Sequence, residues 1–199
     1  MNNKILLNYV KQTSNSGGTV SDFNAKVNTN LTIGSNSGTR VIDNVIVKLP
    51  PNFELGGTST DISNLFNEFY MLEEIPNIDF SNVTTMEATF NKCRTITSIS
   101  LGNTSNLTDI FRCFDGCTNL VTIEIFDTSK VTNMKNCYRD CQSLSNDSLN
   151  NILLMCKNAT RYTGTKTLAF LGLSSTQATI CQGLSNYSDF ISAGWSTGY

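Results

Sequence analysis

The sequence predicts an α/β solenoid, a fold in which short units stack in register and share one continuous core. Apolar residues recur with a 24-residue period, and a related 21-residue period precedes them. A fixed period of this length is typical of a solenoid, because each unit can bury its apolar face only against its neighbours. The columns of the longer period are Val83, Leu107 and Val131; Phe90, Phe114 and Tyr138; and Cys93, Cys117 and Cys141.

The first unit is predicted to be three residues shorter than the others. Seven apolar positions between Ile62 and Phe80 each precede an apolar position of the next unit by the shorter period, so that Phe69 would be equivalent to Phe90. Because turns tolerate length changes better than packed elements do, the deletion is assigned to a turn. We therefore expect an array of about four 21–24-residue repeats.

Each unit combines a helical pattern with a strand pattern. The sequence Ile123-Glu124-Ile125 alternates apolar and polar residues, as a strand with one buried side does. The segment Asp127–Ser129 offers caps for the following helix. Successive strands should then form one continuous parallel sheet with a spacing of about 4.8 Å. The spacing of three, four and three residues that lines one side of a helix occurs at Val131, Met134, Tyr138 and Cys141.

The extent of this pattern divides the chain into three segments. Residues 1–43, interrupted by Gly17-Gly18 and Gly34–Gly38, are expected to be an N-terminal arm that docks on a partner, or else a flexible lead-in or an extra β cap. Residues 44–145 are expected to hold the repeats and an N-terminal β cap, whose strand is Asn44–Leu49. Residues 146–199 are expected to form a C-terminal cap, because the open ends of a solenoid must be covered.

The C-terminal cap is predicted to contain helices and one strand. A helix capped by Asp147 or Ser148 comes first, and Thr165–Leu171 supplies a strand. A second helix is expected near residues 176–184, followed by a turn near residues 188–193. The apolar positions of the first helix are Leu149, Ile152, Leu153 and Cys156.

Composition argues against several functional classes. Only 15% of the residues are charged and the net charge is −2, so the chain lacks the basic stripe that nucleic-acid binding or a polybasic membrane contact requires. No apolar run approaches the roughly 20 residues needed to span a bilayer. The apolar run in Met1–Val10 is too short for a secretory signal. We expect no nucleic-acid partner, no membrane insertion, and a product that stays in the cytoplasm where it is made.

The seven cysteines allow chemical and structural interpretations. A four-thiolate zinc site is one alternative, and a disulfide between stacked neighbours is another. The simpler interpretation is an inward column of small side chains that pack unit upon unit. An odd count and cytoplasmic assembly favour free thiols without a metal. The four cysteines of the zinc alternative are Cys113, Cys117, Cys137 and Cys141.

No catalytic residues are predicted. The chain contains no histidine, which removes Ser-His-Asp and Cys-His arrangements, and it has no phosphate-binding glycine motif. Asp79 and Glu124 are the candidate acid pair for a glycosidase, since they would lie two strands apart, or about 10 Å, on one sheet face with Ser100 between them. The favoured interpretation is a non-enzymatic protein that needs no cofactor.

The residue types within the repeats are more specific to a family than the spacing of the repeats is. The segments Ser81–Met86, Cys117–Ile125 and Thr128–Met134 resemble the BspA-like leucine-rich-repeat surface proteins, and the resemblance covers about residues 60–145. The stretch Leu149–Tyr199 is similar to the end cap of family members encoded by phages and prophages of Gram-positive gut bacteria. This resemblance implies a leucine-rich-repeat array used for adhesion or surface display, without catalysis.

These observations predict a phage virion component that displays its repeats at the particle surface, as a tail, fibre or head-decoration part. A virion protein needs no signal peptide, because the particle assembles in the host cytoplasm. The expected partners are other virion proteins, bound through residues 1–43, and a host surface protein or glycan; a homo-oligomer is compatible with this role. The main alternative is a secreted or cell-wall adhesion module at the bacterial surface, and a third hypothesis is an intracellular binder of another protein.

The outward side of the predicted strands is the candidate ligand-binding face, since solenoids use such extended faces for binding. The alternative is a face that is merely solvated. Phe126, at a strand end, is expected to be an exposed aromatic contact. The residues expected to point inward are Ile78, Phe80, Ile99, Leu101, Ile123 and Ile125. The candidate ligand-binding residues are Asn77, Asp79, Ser98, Ser100, Thr122, Glu124 and Phe126.

Overall fold

A computed structural model describes residues 40–42, 45–48, 60–75 and 78–199. Most of the predicted arm therefore lies outside the described residues. The strand expected at Asn44–Leu49 is present as β2, which pairs antiparallel with β1. The described elements are β1 (Arg40–Ile42), β2 (Val45–Lys48), β3 (Ser98–Ile99), β4 (Thr122–Ile123), α1 (Asn146–Asn158), α2 (Leu168–Leu171), α3 (Ser175–Cys181) and α4 (Tyr187–Ser192).

The prediction of an α/β solenoid with a leucine-rich-repeat array and one continuous parallel sheet is wrong. Among the described residues the parallel sheet consists of β3 and β4 alone, with two residues in each strand. All the described helices begin after residue 145. The described part of the segment that was expected to alternate helices and strands therefore contains turns instead of helices.

Residues with a left-handed backbone conformation explain why these turns are not helices. Asn136 and Asp140 have φ angles of 56° and 60°, a conformation that L-residues adopt singly and that cannot continue an α-helix. Between them the N–H of Cys137 donates to the carbonyl of Met134, only three residues back, at 3.2 Å. The spacing of three, four and three residues therefore arises from consecutive tight turns that direct a side chain toward the core every three or four residues. A helix produces the same spacing, so the sequence pattern could not distinguish the two.

Successive turns contact each other with a uniform 24-residue step, so the shorter first unit is also wrong. The hydroxyls of Thr84, Thr108 and Thr132 each donate to the carbonyl that lies one such step earlier in the chain. The shorter predicted step made Phe69 equivalent to Phe90, whereas the ring that stacks on Phe90 is that of Phe66. Parallel β-bridges show the same 24-residue spacing from the first turn to the last. They join Asp61, Thr85, Asp109 and Asn133 in succession.

The core contains a column of aromatic rings beside a column of thiols. The predicted inward stacking of Phe90, Phe114 and Tyr138 is confirmed, since all three are buried and neighbouring ring centroids are 5.8 Å apart. The Sγ atoms of Cys117 and Cys141 donate to the carbonyl oxygens of Phe90 and Phe114, at 3.1 Å and 3.0 Å. Each turn is therefore tied to the preceding one through both its ring and its thiol.

Helix α1 covers the outer edge of β4. The helix begins after Ser145, whose side chain accepts a hydrogen bond from the N–H of Ser148. Ser148 Oγ accepts from the N–H of Ile123 and donates to the carbonyl of Val121, both at 2.8 Å. An unpaired strand edge exposes such groups, and here one helical side chain satisfies two of them. The apolar positions predicted for this helix are buried, namely Leu149, Ile152, Leu153 and Cys156.

Helix α2 lies where the strand Thr165–Leu171 was predicted, so that prediction is wrong. The Thr167 side chain accepts from the N–H of Phe170 and so caps a helix, while Thr167 itself forms a bridge to Ser196. Helix α3 overlaps the region where the second helix was predicted, residues 176–184, and α4 replaces the predicted turn.

The C-terminal end of α2 covers the last stacked turn. The carbonyl oxygens of Phe170 and Leu171 accept from the N–H groups of Asn136 and Tyr138, at 2.8 Å and 2.9 Å. Gly172 ends the helix with a φ of 88°, a left-handed conformation that favours glycine. The helix terminus thus supplies the acceptors that a further turn would otherwise provide.

Candidate functional site

Four of the candidate residues form one exposed surface, which we call the polar face: Ser98, Ser100, Thr122 and Glu124. Ser98 pairs in register with Thr122 across β3 and β4. Ser100 Oγ donates to a carboxylate oxygen of Glu124 at 2.5 Å. The isoleucine that follows in each strand is buried, as predicted. A fifth candidate, Asn77, lies outside the described residues.

Asp79 does not belong to the polar face. The uniform step between turns makes it equivalent to Asn103 and Asp127, which lie in the turns that follow β3 and β4. Its carboxylate accepts a hydrogen bond from the N–H of Ser81 at 2.8 Å, and this bond lowers the pKa of Asp79. Asp79 and Glu124, the acid pair considered as a glycosidase alternative, therefore do not occupy equivalent positions on one sheet face, because that alternative depended on the shorter step.

Phe126 is buried, and its predicted role as an exposed aromatic contact is wrong. Only 3% of its surface is exposed, and its ring packs edge-on against Phe114 with centroids 6.4 Å apart. Ile125, which was expected to point inward, is 50% exposed. The physical reason is that β4 ends at Ile123, so the alternation of a strand no longer applies to the next residues.

A groove of about 350 Å³ opens beside the polar face and adds a residue that the sequence pattern missed. That residue is Glu74, which the uniform step makes the counterpart of Ser98. The stacked pair of Phe66 and Phe90, separated by the same step, was the signal that could have revealed this equivalence. The groove is lined by the polar residues Glu74, Ser98 and Ser100 and by the apolar residues Ile75, Phe80, Ile99 and Leu101.

The groove joins an acidic rim to an apolar floor. Glu74 contributes a carboxylate to the lining, and the carboxylate of Glu124 is linked to it through Ser100. The hydroxyls of Ser98 and Ser100 can each donate and accept hydrogen bonds. Among the described residues, the lining contains no cysteine and no basic side chain. This arrangement suits reversible binding of a polar group.

The cysteines do not form a second site. All seven are free and buried, and burial raises the pKa of Cys117 to about 12. The same cause raises the pKa of Cys113. Metals bind the thiolate form, which burial disfavours. Within the described ranges, no cluster of three or more cysteine, aspartate or glutamate residues has the geometry of a metal site, so the zinc interpretation gains no support.

In the part of the chain that the structure describes, no helix has both the length and the apolar character needed to cross a bilayer.

Comparison with known proteins identifies a family for this chain. No curated protein and no solved structure matches it. A family model does match residues 60–165, which include the first stacked turn, the groove, the polar face and α1. This match covers more than half of the chain. The chain therefore belongs to the family described as "Mycoplasma protein of unknown function, DUF285".

Proposed function

We propose that this chain is a non-enzymatic binding module displayed at the surface of a phage particle. Its binding surface is the polar face together with the adjoining groove. In this role residues 1–43 attach the chain to other virion proteins, and the binding surface contacts a host surface protein or glycan.

The observation that carries this proposal is the groove beside the polar face. It presents hydroxyl and carboxylate groups to solvent while apolar side chains form its floor. Binding sites commonly combine an apolar concave surface with a few placed polar groups. The rigid stacking beneath the polar face holds these groups in place, which lowers the entropic cost of binding.

Two sequence observations support particle display. The segments Ser81–Met86 and Thr128–Met134 resemble BspA-like surface proteins, and Leu149–Tyr199 resembles the end cap of phage-encoded members. A second candidate function is an adhesion module on a bacterial cell surface. The description of the matched family favours this candidate, because it names a bacterial genus and no phage.

Localisation separates these two functions. Phage particles and cell-surface fractions would be purified from the strain that carries the gene, and the chain would be quantified in each by mass spectrometry. We expect the chain in particles at a constant ratio to the major capsid protein. Detection in the cell-surface fraction alone would favour the adhesion module, and detection in the cytosol alone would contradict both functions.

Binding to cells tests the polar face directly. In the variant Ser98→Trp a bulky side chain at the groove should block access, and we expect labelled protein to bind intact cells of that strain about tenfold more weakly. Ser188→Trp is the matched control, because Ser188 is exposed on α4, away from the groove. Equal binding by both variants would show that the polar face is only a solvated surface.

A further inference from the structure

The two strands of the parallel sheet differ at their outer edges. The outer edge of β4 faces α1, where Ser148 Oγ accepts from the N–H of Ile123 at 2.8 Å and Asn151 Nδ2 donates to the carbonyl of Ile123 at 3.0 Å. At the outer edge of β3, by contrast, the described part of the chain supplies no hydrogen-bond partner. An unpaired strand edge is a template for pairing with another chain, so one of the two edges is open to a further strand.

The open edge presents the backbone groups of Ser98. The carbonyl of Ile99 faces β4, since it accepts from the N–H of Glu124 at 3.1 Å. Neighbouring residues of a strand direct their N–H and C=O groups to opposite edges, so the groups of Ser98 point away from β4. Among the described residues none makes a backbone hydrogen bond to Ser98 or Ser100 at this edge, and both serines are exposed.

The groove runs along this same edge. Four consecutive residues, Ser98–Leu101, line it, and its other lining residues are Glu74, Ile75 and Phe80 of the preceding turn. None of the described lining residues belongs to β4, so the groove lies on the side of β3 that faces away from β4. Its volume of about 350 Å³ is near the lower limit of typical ligand pockets, which suits a short segment of chain.

We propose that an extended segment of a partner protein pairs with the outer edge of β3 as an added strand, an inference that rests on the proposed function. The N–H and C=O groups of the segment bind those of Ser98. Side chains alternate between the two sides of a strand, so one apolar side chain packs against the groove floor while its neighbours face solvent. In this mode of recognition, main-chain hydrogen bonds supply affinity and the pocket for alternate side chains supplies specificity.

A pair of short peptides tests this inference on the full chain. One probe is acetyl-Thr-Thr-Val-Thr-Thr-amide, and the other carries N-methyl groups on its three central residues, which removes their N–H donors and keeps the side chains. We expect a Kd of about 1 mM for the first peptide and binding about tenfold weaker for the second. At about 10 mM the first peptide should slow amide hydrogen exchange at Ser98 about tenfold, because only the unbound chain exchanges. Equal affinities, or NMR shifts confined to residues outside 98–101, would overturn the inference.

Proline substitution assigns the binding to the backbone of β3. Ser98→Pro removes the N–H at the outer edge, and an edge strand tolerates proline where that N–H has no partner in the described structure. We expect the unmodified peptide to bind this variant about tenfold more weakly. Unweakened binding by folded Ser98→Pro would contradict the inference.

Ser175→Pro is the matched control for that variant. Ser175 is exposed, does not line the groove and is the first residue of α3, a position where proline is favourable. This control should bind the peptide as the unmodified chain does. The NMR spectrum of each variant shows whether it is folded, and the peptide pair decides the question if Ser98→Pro does not fold.

The outcomes distinguish this inference from the proposed function. If Ser98→Trp weakens binding to cells while the two peptides bind alike, the binding surface stands and an added strand is the wrong occupant, which would favour a glycan. If the unmodified peptide binds selectively at β3 but no particle or cell-surface fraction contains the chain, strand addition stands and the display function is wrong.

Discussion

The ring of Phe66 stacks on the ring of Phe90, with centroids 5.4 Å apart and planes 12° from parallel. The stacking continues from Phe90 to Phe114. This column sets a single register for the described turns. The register moves Asp79 away from the polar face and places Glu74 beside it, so the position of one ring pair decides which carboxylate belongs to the candidate site.

The central ring of this column should be a major source of stability. Phe114→Ala removes a buried ring that contacts Phe90, Phe126 and Tyr138, and we expect a loss of about 3–5 kcal/mol in the free energy of unfolding. Urea unfolding measures this loss. Phe111→Ala, at a half-buried position nearby, should cost much less. Identical midpoints for Phe114→Ala and the unmodified chain would contradict the described packing.

Removal of one hydroxyl group tests whether α1 stabilises the outer edge of β4. Ser148→Ala leaves the N–H of Ile123 without the acceptor that it has in the structure. An unsatisfied buried polar group costs about 1–3 kcal/mol, and thermal unfolding should show that loss. Ser188→Ala, at an exposed site on α4, should change stability by no more than about 0.5 kcal/mol. A loss of the same size in both variants would argue against the edge-covering role.

Two glycines with positive φ should respond differently to substitution by alanine. A Cβ on Gly172, which has a φ of 88°, would lie 2.7 Å from the Cα of Arg139. A Cβ on Gly102, with a φ of 60°, would meet nothing within 4 Å. Gly172→Ala should therefore cost about 2–4 kcal/mol, because crowding adds to backbone strain.

Gly102→Ala serves as the control for that comparison. It should cost about 1–2 kcal/mol, the strain of a left-handed L-residue alone. Both values come from urea unfolding under the same conditions. If Gly102→Ala were the more damaging substitution, α2 would not pack against the turn that contains Arg139.

Stability should fall in alkaline solution because of the buried thiols. Burial raises the pKa of Cys117 from 9.0 to about 12, so above pH 9 the unfolded chain releases a proton that the folded chain retains. The stabilisation is complete below pH 9 and is lost progressively up to about pH 12. Each such thiol steepens the fall in the free energy of unfolding by up to about 1.4 kcal/mol per pH unit.

Cys117→Ala isolates the contribution of that one thiol. The slope of unfolding free energy against pH should be shallower than in the unmodified chain, whatever the absolute stability of the variant. Urea unfolding in the presence of a reductant, at about pH 8, 9.5 and 11, measures both slopes. Parallel slopes would mean that Cys117 titrates normally and is accessible to solvent.

The sequence alone determined the core of the later turns and the main helix. Phe114 and Tyr138 could be placed because large apolar side chains at a fixed spacing are buried for reasons that depend on their own chemistry. Helix α1 could be predicted because its apolar periodicity is local to the segment. Its cap was predicted wrongly, since Ser145 caps the helix and not Asp147 or Ser148. The exposure of Ser98 and Thr122 followed from the same short-range alternation in strands.

Only the tertiary structure decided the register of the first turn and the composition of the candidate site. Phe66 and Phe69 are both fully buried, so hydrophobicity alone cannot show which ring stacks on Phe90. Hydrogen bonds between turns determine which ring stacks on Phe90, and these bonds join residues far apart in sequence. Ile125 and Phe126 differ for a similar reason: both are apolar, and the bend after β4 determines which of them faces the core. The pattern of residue types shows which side chains are able to be buried. The path of the backbone from one turn to the next determines which of two neighbouring apolar side chains is buried in a given position of the core.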